Sequence, residues 1–169
     1  AIIEGARTSV DDVRAASMSD RGGPSSDPAS ALACGIWRSQ WSLASRFPPL
    51  NTRSAARPRT PSVPLPSLIA GLHRDACSAL VAVGLVPTSS VAVPTDPSLL
   101  APALAYARCD APALAVAAAL SAHFRFRRVF EPASCAVGAG VARWILVTRG
   151  VDPTGVCVPG AYDAVDPAR

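Results

Sequence analysis

His73 and Cys77 are the residues whose types and spacing come nearest to chemistry. They stand four apart in a segment that reads as helix, with Asp75 between them, so imidazole and thiol share one face. Such a pair can ligate a metal or activate the sulfur as a nucleophile. Neither use is completed elsewhere. His123 and the cysteines Cys34, Cys109, Cys135 and Cys157 lie at wide, irregular intervals, with no CxxC pair. The preferred reading is a partly buried structural cysteine beside a helix histidine. No catalytic, cofactor-binding or metal-ligating residue is assigned, and no cofactor is expected.

Two glycine stretches invite a phosphate-loop reading, Gly138-Ala139-Gly140 and Val151-Asp152-Pro153-Thr154-Gly155. Neither fits GxGxxG or GxxxxGK[ST], and the chain has no lysine to complete the second pattern. Turn glycines are the better account. No GxSxG elbow occurs, and the aspartates mostly fall where helices begin or turns form.

Binding offers more candidates than catalysis. Arg53, Arg57 and Arg59 lie in a proline-rich stretch, and Arg125, Arg127 and Arg128 follow Phe124 and alternate with Phe126. Arginine forks suit phosphates and carboxylates alike, and an interleaved phenylalanine can stack on a base. Yet all sixteen basic residues are arginine, and Asn and Gln occur once each, which reads as a GC-rich coding sequence. Arginine number is therefore weak evidence for nucleic acid, and bridging to acidic patches of neighbouring subunits is the favoured use. Trp37 and Trp41, four apart in an acid-free stretch, are read as a core or intersubunit anchor.

The elements that must position these residues are announced by their starts. Asp27-Pro28, Asp96-Pro97 and Asp110-Ala111-Pro112 each set an acceptor before a first-turn proline. Helices are expected over 9–19, 28–46, 67–83, 97–108 and 111–123. In the second, Leu32, Ile36, Leu43 and the two tryptophans are taken as one apolar face. The fourth and fifth form an alanine-rich hairpin broken near Cys109-Asp110. Six prolines between Phe47 and Pro66 argue for an extended arm. FRFRRVF (124–130) and VARWILVT (141–148) read as a two-stranded antiparallel ribbon, with 86–93 as a third short strand. The fold class is mainly α with a small antiparallel β element. Four parts are expected: a helical segment over 1–46, the proline-rich extended arm over 47–66, a hairpin-plus-ribbon core over 67–149 and an irregular tail over 150–169.

Charge is blocked along the chain. Residues 28–74 hold six arginines and no acid, 75–124 hold three aspartates and one arginine, and 125–149 hold five arginines against Glu131. Only 17% of residues are charged, glutamate occurs twice, and mean hydropathy is +0.29. A 17.3 kDa monomer normally covers its large surface with charge. Low charge favours burial in an assembly, since obligate interfaces are apolar. Ala1 in place of Met suggests a processed product or a segment of a longer polypeptide. Glu4, Arg7, Asp11, Asp12 and Arg14 interrupt any secretory pattern, and no apolar run suits a membrane span. The expectation is a non-enzymatic structural subunit of a large complex, a capsid-associated or coat segment of a virus with a GC-rich genome. It would reside in the virion or a reducing intracellular compartment, not be secreted, with other protein subunits as partners. The alternatives are an RNA-binding accessory subunit of an organellar or bacterial complex and, less favoured, a small Cys/His enzyme.

Overall fold

The computed structural model describes residues 2–3, 6–7, 11, 15, 27–47 and 63–157. Among the described residues five full α-helices carry the fold: α1 (Pro28–Ala44), α2 (Leu65–Ala82), α3 (Leu100–Arg108), α4 (Ala113–Arg127) and α5 (Ser134–Thr148). A two-residue antiparallel ladder, Ile2–Ile3 against Ala6–Arg7, is the sole strand pairing among the described residues.

The starting signals act largely as expected. Asp27 caps α1, its carboxylate accepting from the Ser30 amide at 2.8 Å and the Ser30 hydroxyl at 2.7 Å. A cap of this kind satisfies amide donors that the first turn leaves without a partner. Those bonds also hold its carboxyl below the usual aspartate range. Asp96 caps a single 3-10 turn, Pro97–Leu99, that leads into α3. Before α4 the capping position falls to Pro112, with no side-chain cap, so Asp110 stays in the exposed turn.

α1 and α2 form a close pair because small residues meet at their crossing. A Cβ on Gly35 would stand 1.8 Å from the Ala76 carbonyl oxygen, and Ala31, Ala33 and Ala79 are buried around it. Ser39 donates to the Leu72 carbonyl at 3.0 Å, which satisfies a fully buried hydroxyl. α4 and α5 pair in the same way: a Cβ on Gly138 would meet that of Phe124 at 2.5 Å. The principal core joins Leu68, Ile69 and Leu72 of α2 to Leu120 and Phe124 of α4 and to Val137, Val141, Trp144 and Ile145 of α5. Each large side chain so buried contributes about 1.5–3 kcal/mol.

The expected ribbon does not form. FRFR closes α4, Arg128 adopts φ 47 as its left-handed C-cap, and Val129 and Phe130 turn back into the core. VARWILVT is the second half of α5, buried on nearly every side. A short apolar run covered all round carries no periodicity to separate strand from helix. Residues 86–93 form turns around a 3-10 turn at Thr88–Ser90. Of the helix expected at 9–19, Asp11 and Ala15 are described and helical; its other residues lie outside the described set. Most of the proline-rich arm, 48–62, and the tail from 158 also lie outside it. Phe47, Val63 and Leu65 pack against the principal core, and α2 begins at Leu65 with Pro66 in its first turn.

Candidate partner-binding site

α1 carries Ile36 and Leu43 inward, and the same 100° advance per residue turns Trp37 and Trp41 away from them. Both indoles lie on the outer face, Trp37 40% and Trp41 67% exposed. They stack with ring centroids 6.2 Å apart and planes 20° from parallel. The expected single apolar face is therefore two, and the core version of the tryptophan anchor is corrected to a surface pair. Arg38 lies exposed beside them. Residues 28–74 contain six arginines and no acid, so α1 itself brings only positive charge to this face.

The second cluster sits at the C-terminal end of α4. Arg125, Arg127 and Arg128 are exposed, and Phe126 between them is 78% exposed, the most open large apolar residue described. Cations here favour the helix dipole. Part of the charge is met locally: Arg128 reaches Glu131 at 3.5 Å, and Arg127 helps hold the Asp96 carboxyl low after the Ser98 bonds have done most of it. Phe124, expected on the same ribbon face as Phe126, is instead fully buried. Arg53, Arg57 and Arg59 lie outside the described residues. The sequence candidates thus fall on separate helices, tryptophans on α1 and arginines on α4.

His73 and Cys77 do meet, with Sγ 3.2 Å from Nε2, but in a sealed place. Both are fully buried. The Ala92 amide donates to Nδ1 at 2.8 Å, so that nitrogen is unprotonated; Nε2 carries the hydrogen and donates to the Pro132 carbonyl at 3.1 Å. Phe130 stacks on the ring with centroids 4.5 Å apart. Burial lowers the imidazole pKa, against a smaller upward pull from the Pro132 bond. An imidazole with one nitrogen accepting and the other donating cannot take a proton from the thiol without breaking a backbone bond. It ties the turns at Ala92 and Pro132 to α2. Among the described residues no group of three His, Cys, Asp or Glu could hold a metal. Cys34 is buried, as Cys77 is, whereas Cys109, Cys135 and Cys157 are exposed.

Sequence reasoning missed two arginines that act inside the fold. Arg149 gives its guanidinium to the carbonyls of Ala111 at 2.7 Å, Cys109 at 2.8 Å and Ala107 at 3.0 Å. It therefore clasps the orphan carbonyls where α3 ends. Arg143 donates to the Gly155 carbonyl through Nε at 2.8 Å and also through Nη2. It lies 5.2 Å from the centroid of Phe47, whose ring stacks on Trp144. The buried Asp152 accepts from the amides of Val156 and Cys157, which closes that loop. Its carboxylate also raises the Cys157 thiol pKa. The only available signal was position: a cation just past one helix and an Asp-Pro turn after it.

Among the described residues no helix is long and apolar enough to cross a membrane. No protein-family model, curated protein or solved structure matches this chain.

Proposed function

We propose that the chain is a non-enzymatic subunit of a large protein assembly, docking on a neighbouring subunit through the Trp37–Trp41 face of α1. One observation carries this: two stacked indoles stand on the surface, one of them two-thirds exposed. Paired tryptophans in water leave a large apolar area uncovered, and such residues dominate interface energy once desolvated. Arg38, on a helix that itself carries no acid, favours a partner surface bearing carboxylates. The finer reading is a capsid-associated or coat segment of a virus with a GC-rich genome. Its support is compositional: a lysine-free chain, a low fraction of charged residues and no catalytic motif.

Native mass measurement on source material tests the class, with the chain expected inside a particle many times its own 17.3 kDa. The Trp37→Ala/Trp41→Ala variant tests the site. It should change stability by less than about 1 kcal/mol, because neither ring is core, yet fail to enter the particle. Incorporation at the wild-type level removes the tryptophan face from the assembly reading.

The exposed Phe126 among arginines favours one second reading, an RNA-binding accessory subunit. That role requires affinity for single-stranded RNA that falls steeply as salt rises.

A further inference from the structure

α4 has an outer face as apolar as its inner one. From Ala113 to Ala122 its only polar residue is Ser121, although just Val116, Ala117 and Leu120 of that run are buried. A helix apolar all round is ordinarily covered all round. The uncovered ridge runs Leu114, Ala118, Ala122, Phe126, at intervals of four, all exposed, with Leu114 at 65% and Phe126 at 78%. Two alanines at the middle permit close approach of another helix, and a large side chain at each end reaches round its flank.

We infer that this ridge is the contact between two copies of the chain, α4 lying antiparallel on α4 across a twofold axis between Ala118 and Ala122. The inference rests on the reading of the protein as an assembly subunit and adds a second interface to it. Ridges of i±4 residues interdigitate at roughly 50° from parallel or antiparallel. With a twofold axis at that point Ala118 meets Ala122, and Leu114 of one copy meets Phe126 of the other. Self-complementarity of this kind is what an isologous contact requires.

Charge selects a second copy over other occupants. The start of α4 is preceded by exposed Asp110, while its end carries Arg125, Arg127 and Arg128, about 25 Å further along. Parallel pairing would set arginine against arginine. Antiparallel pairing brings Asp110 of each copy to the Arg127 end of the other and opposes the two helix dipoles favourably. A single-stranded nucleic acid would suit Phe126 and the arginines, but it leaves Leu114, Ala118 and Ala122 in water and meets Asp110 with like charge.

Sedimentation equilibrium of the full chain tests this, with circular dichroism to confirm helicity. The wild type should be dimeric at micromolar concentration. Leu114→Ala/Phe126→Ala should keep its helicity and weaken dimerisation by about thirtyfold or more. Asp110→Arg should weaken it by about tenfold, and Asp110→Arg with Arg127→Asp should recover most of that loss. Trp37→Ala/Trp41→Ala should dimerise like the wild type. A dimer lost in the tryptophan variant but kept in the α4 variant overturns this inference and leaves the assembly reading standing. A compact monomer, or a monomer that instead binds a single-stranded oligonucleotide through Phe126, overturns it as well.

Discussion

α4 and α5 are both fifteen residues long, apolar and packed on each other, yet α5 buries eleven residues and α4 four. α5 is met by α2, α4 and α1, the last through Gln40, whose side-chain amide donates to the Ala136 carbonyl at 3.1 Å. α4 has α5 on one side and the short α3 on another, and α3 itself buries only Ala103. The two helices differ in how many neighbours the fold supplies as well as in polarity, since α4 ends on His123, Arg125 and Arg127 while α5 carries Arg143 as its one charge. An apolar helix is therefore evidence of where cover is needed, and the fold shows which side still lacks it among the described residues.

Two phenylalanines, two residues apart on α4, test the difference most strongly. Phe124 is fully buried and stacks towards Phe130 with centroids 6.2 Å apart, whereas Phe126 is mostly exposed. Phe124→Ala should cost about 3–5 kcal/mol in denaturant unfolding, the usual cost of emptying a core aromatic site. Phe126→Ala should stay within about 0.5 kcal/mol when unfolding is compared under monomeric conditions. Equal losses would mean that Phe126 is covered in solution by this chain itself, and the contrast between the helices would disappear.

The same pair shows what was legible in the sequence. Helix starts could be read because a cap is local chemistry: Asp27 bonds Ser30 three residues away, and Pro28 needs no partner. The class, mainly helical, followed from such signals. The β ribbon was misread because FRFR alternates by accident at a helix end, and because VARWILVT is buried on all faces, which erases the period of 3.6. Trp37 and Trp41 could be read as one pair from their spacing, but grouping them with Ile36 ignored the helical advance that sends them outward. The roles of Arg149 and Arg143 were illegible, since each depends on carbonyls brought close by tertiary packing. The His73–Cys77 contact was legible at four-residue spacing; the bonds that seal it, from Ala92 and to Pro132, were not.

A smaller effect concerns how the exposed hairpin of α3 and α4 is fastened to the covered helix. α3 contributes little burial, so the bonds from Arg149 to the three carbonyls around its end are a large part of its attachment. Arg149→Met keeps the apolar stem and removes the donors. It should cost about 2 kcal/mol, since bonds to a charged donor are worth more than neutral ones but this one is partly solvated. Hydrogen exchange should quicken in 100–112 more than in α5. Uniform quickening across both would show that the hairpin and α5 open as one unit, and the distinction drawn between them would need to move elsewhere.

The smallest effect asks whether cover by a neighbour, and not helix propensity, sets the outcome at a given position. Gly138 of α5 and Gly71 of α2 are both interior helix glycines. A Cβ at Gly138 would press on Phe124, with a backbone-proximal carbon only 2.5 Å away, while one at Gly71 would meet nothing within 4 Å. Alanine in place of glycine gains about 0.5–1 kcal/mol in a helix by restricting the unfolded chain. At Gly71 that gain has nothing to oppose it, because the residue borders a shallow cleft between α1 and α2 lined by Ser42, Arg46 and Asp75. At Gly138 the same gain is outweighed by overpacking of about 1–3 kcal/mol, since Phe124 is fully buried and has no room to withdraw. Gly71→Ala should therefore raise the unfolding free energy slightly and Gly138→Ala lower it, two substitutions of one chemistry with opposite sign. If both stabilise, α5 sits more loosely on α4 than a 2.5 Å approach allows, and the close pairing that leaves the outer ridge of α4 as its uncovered side loses its support.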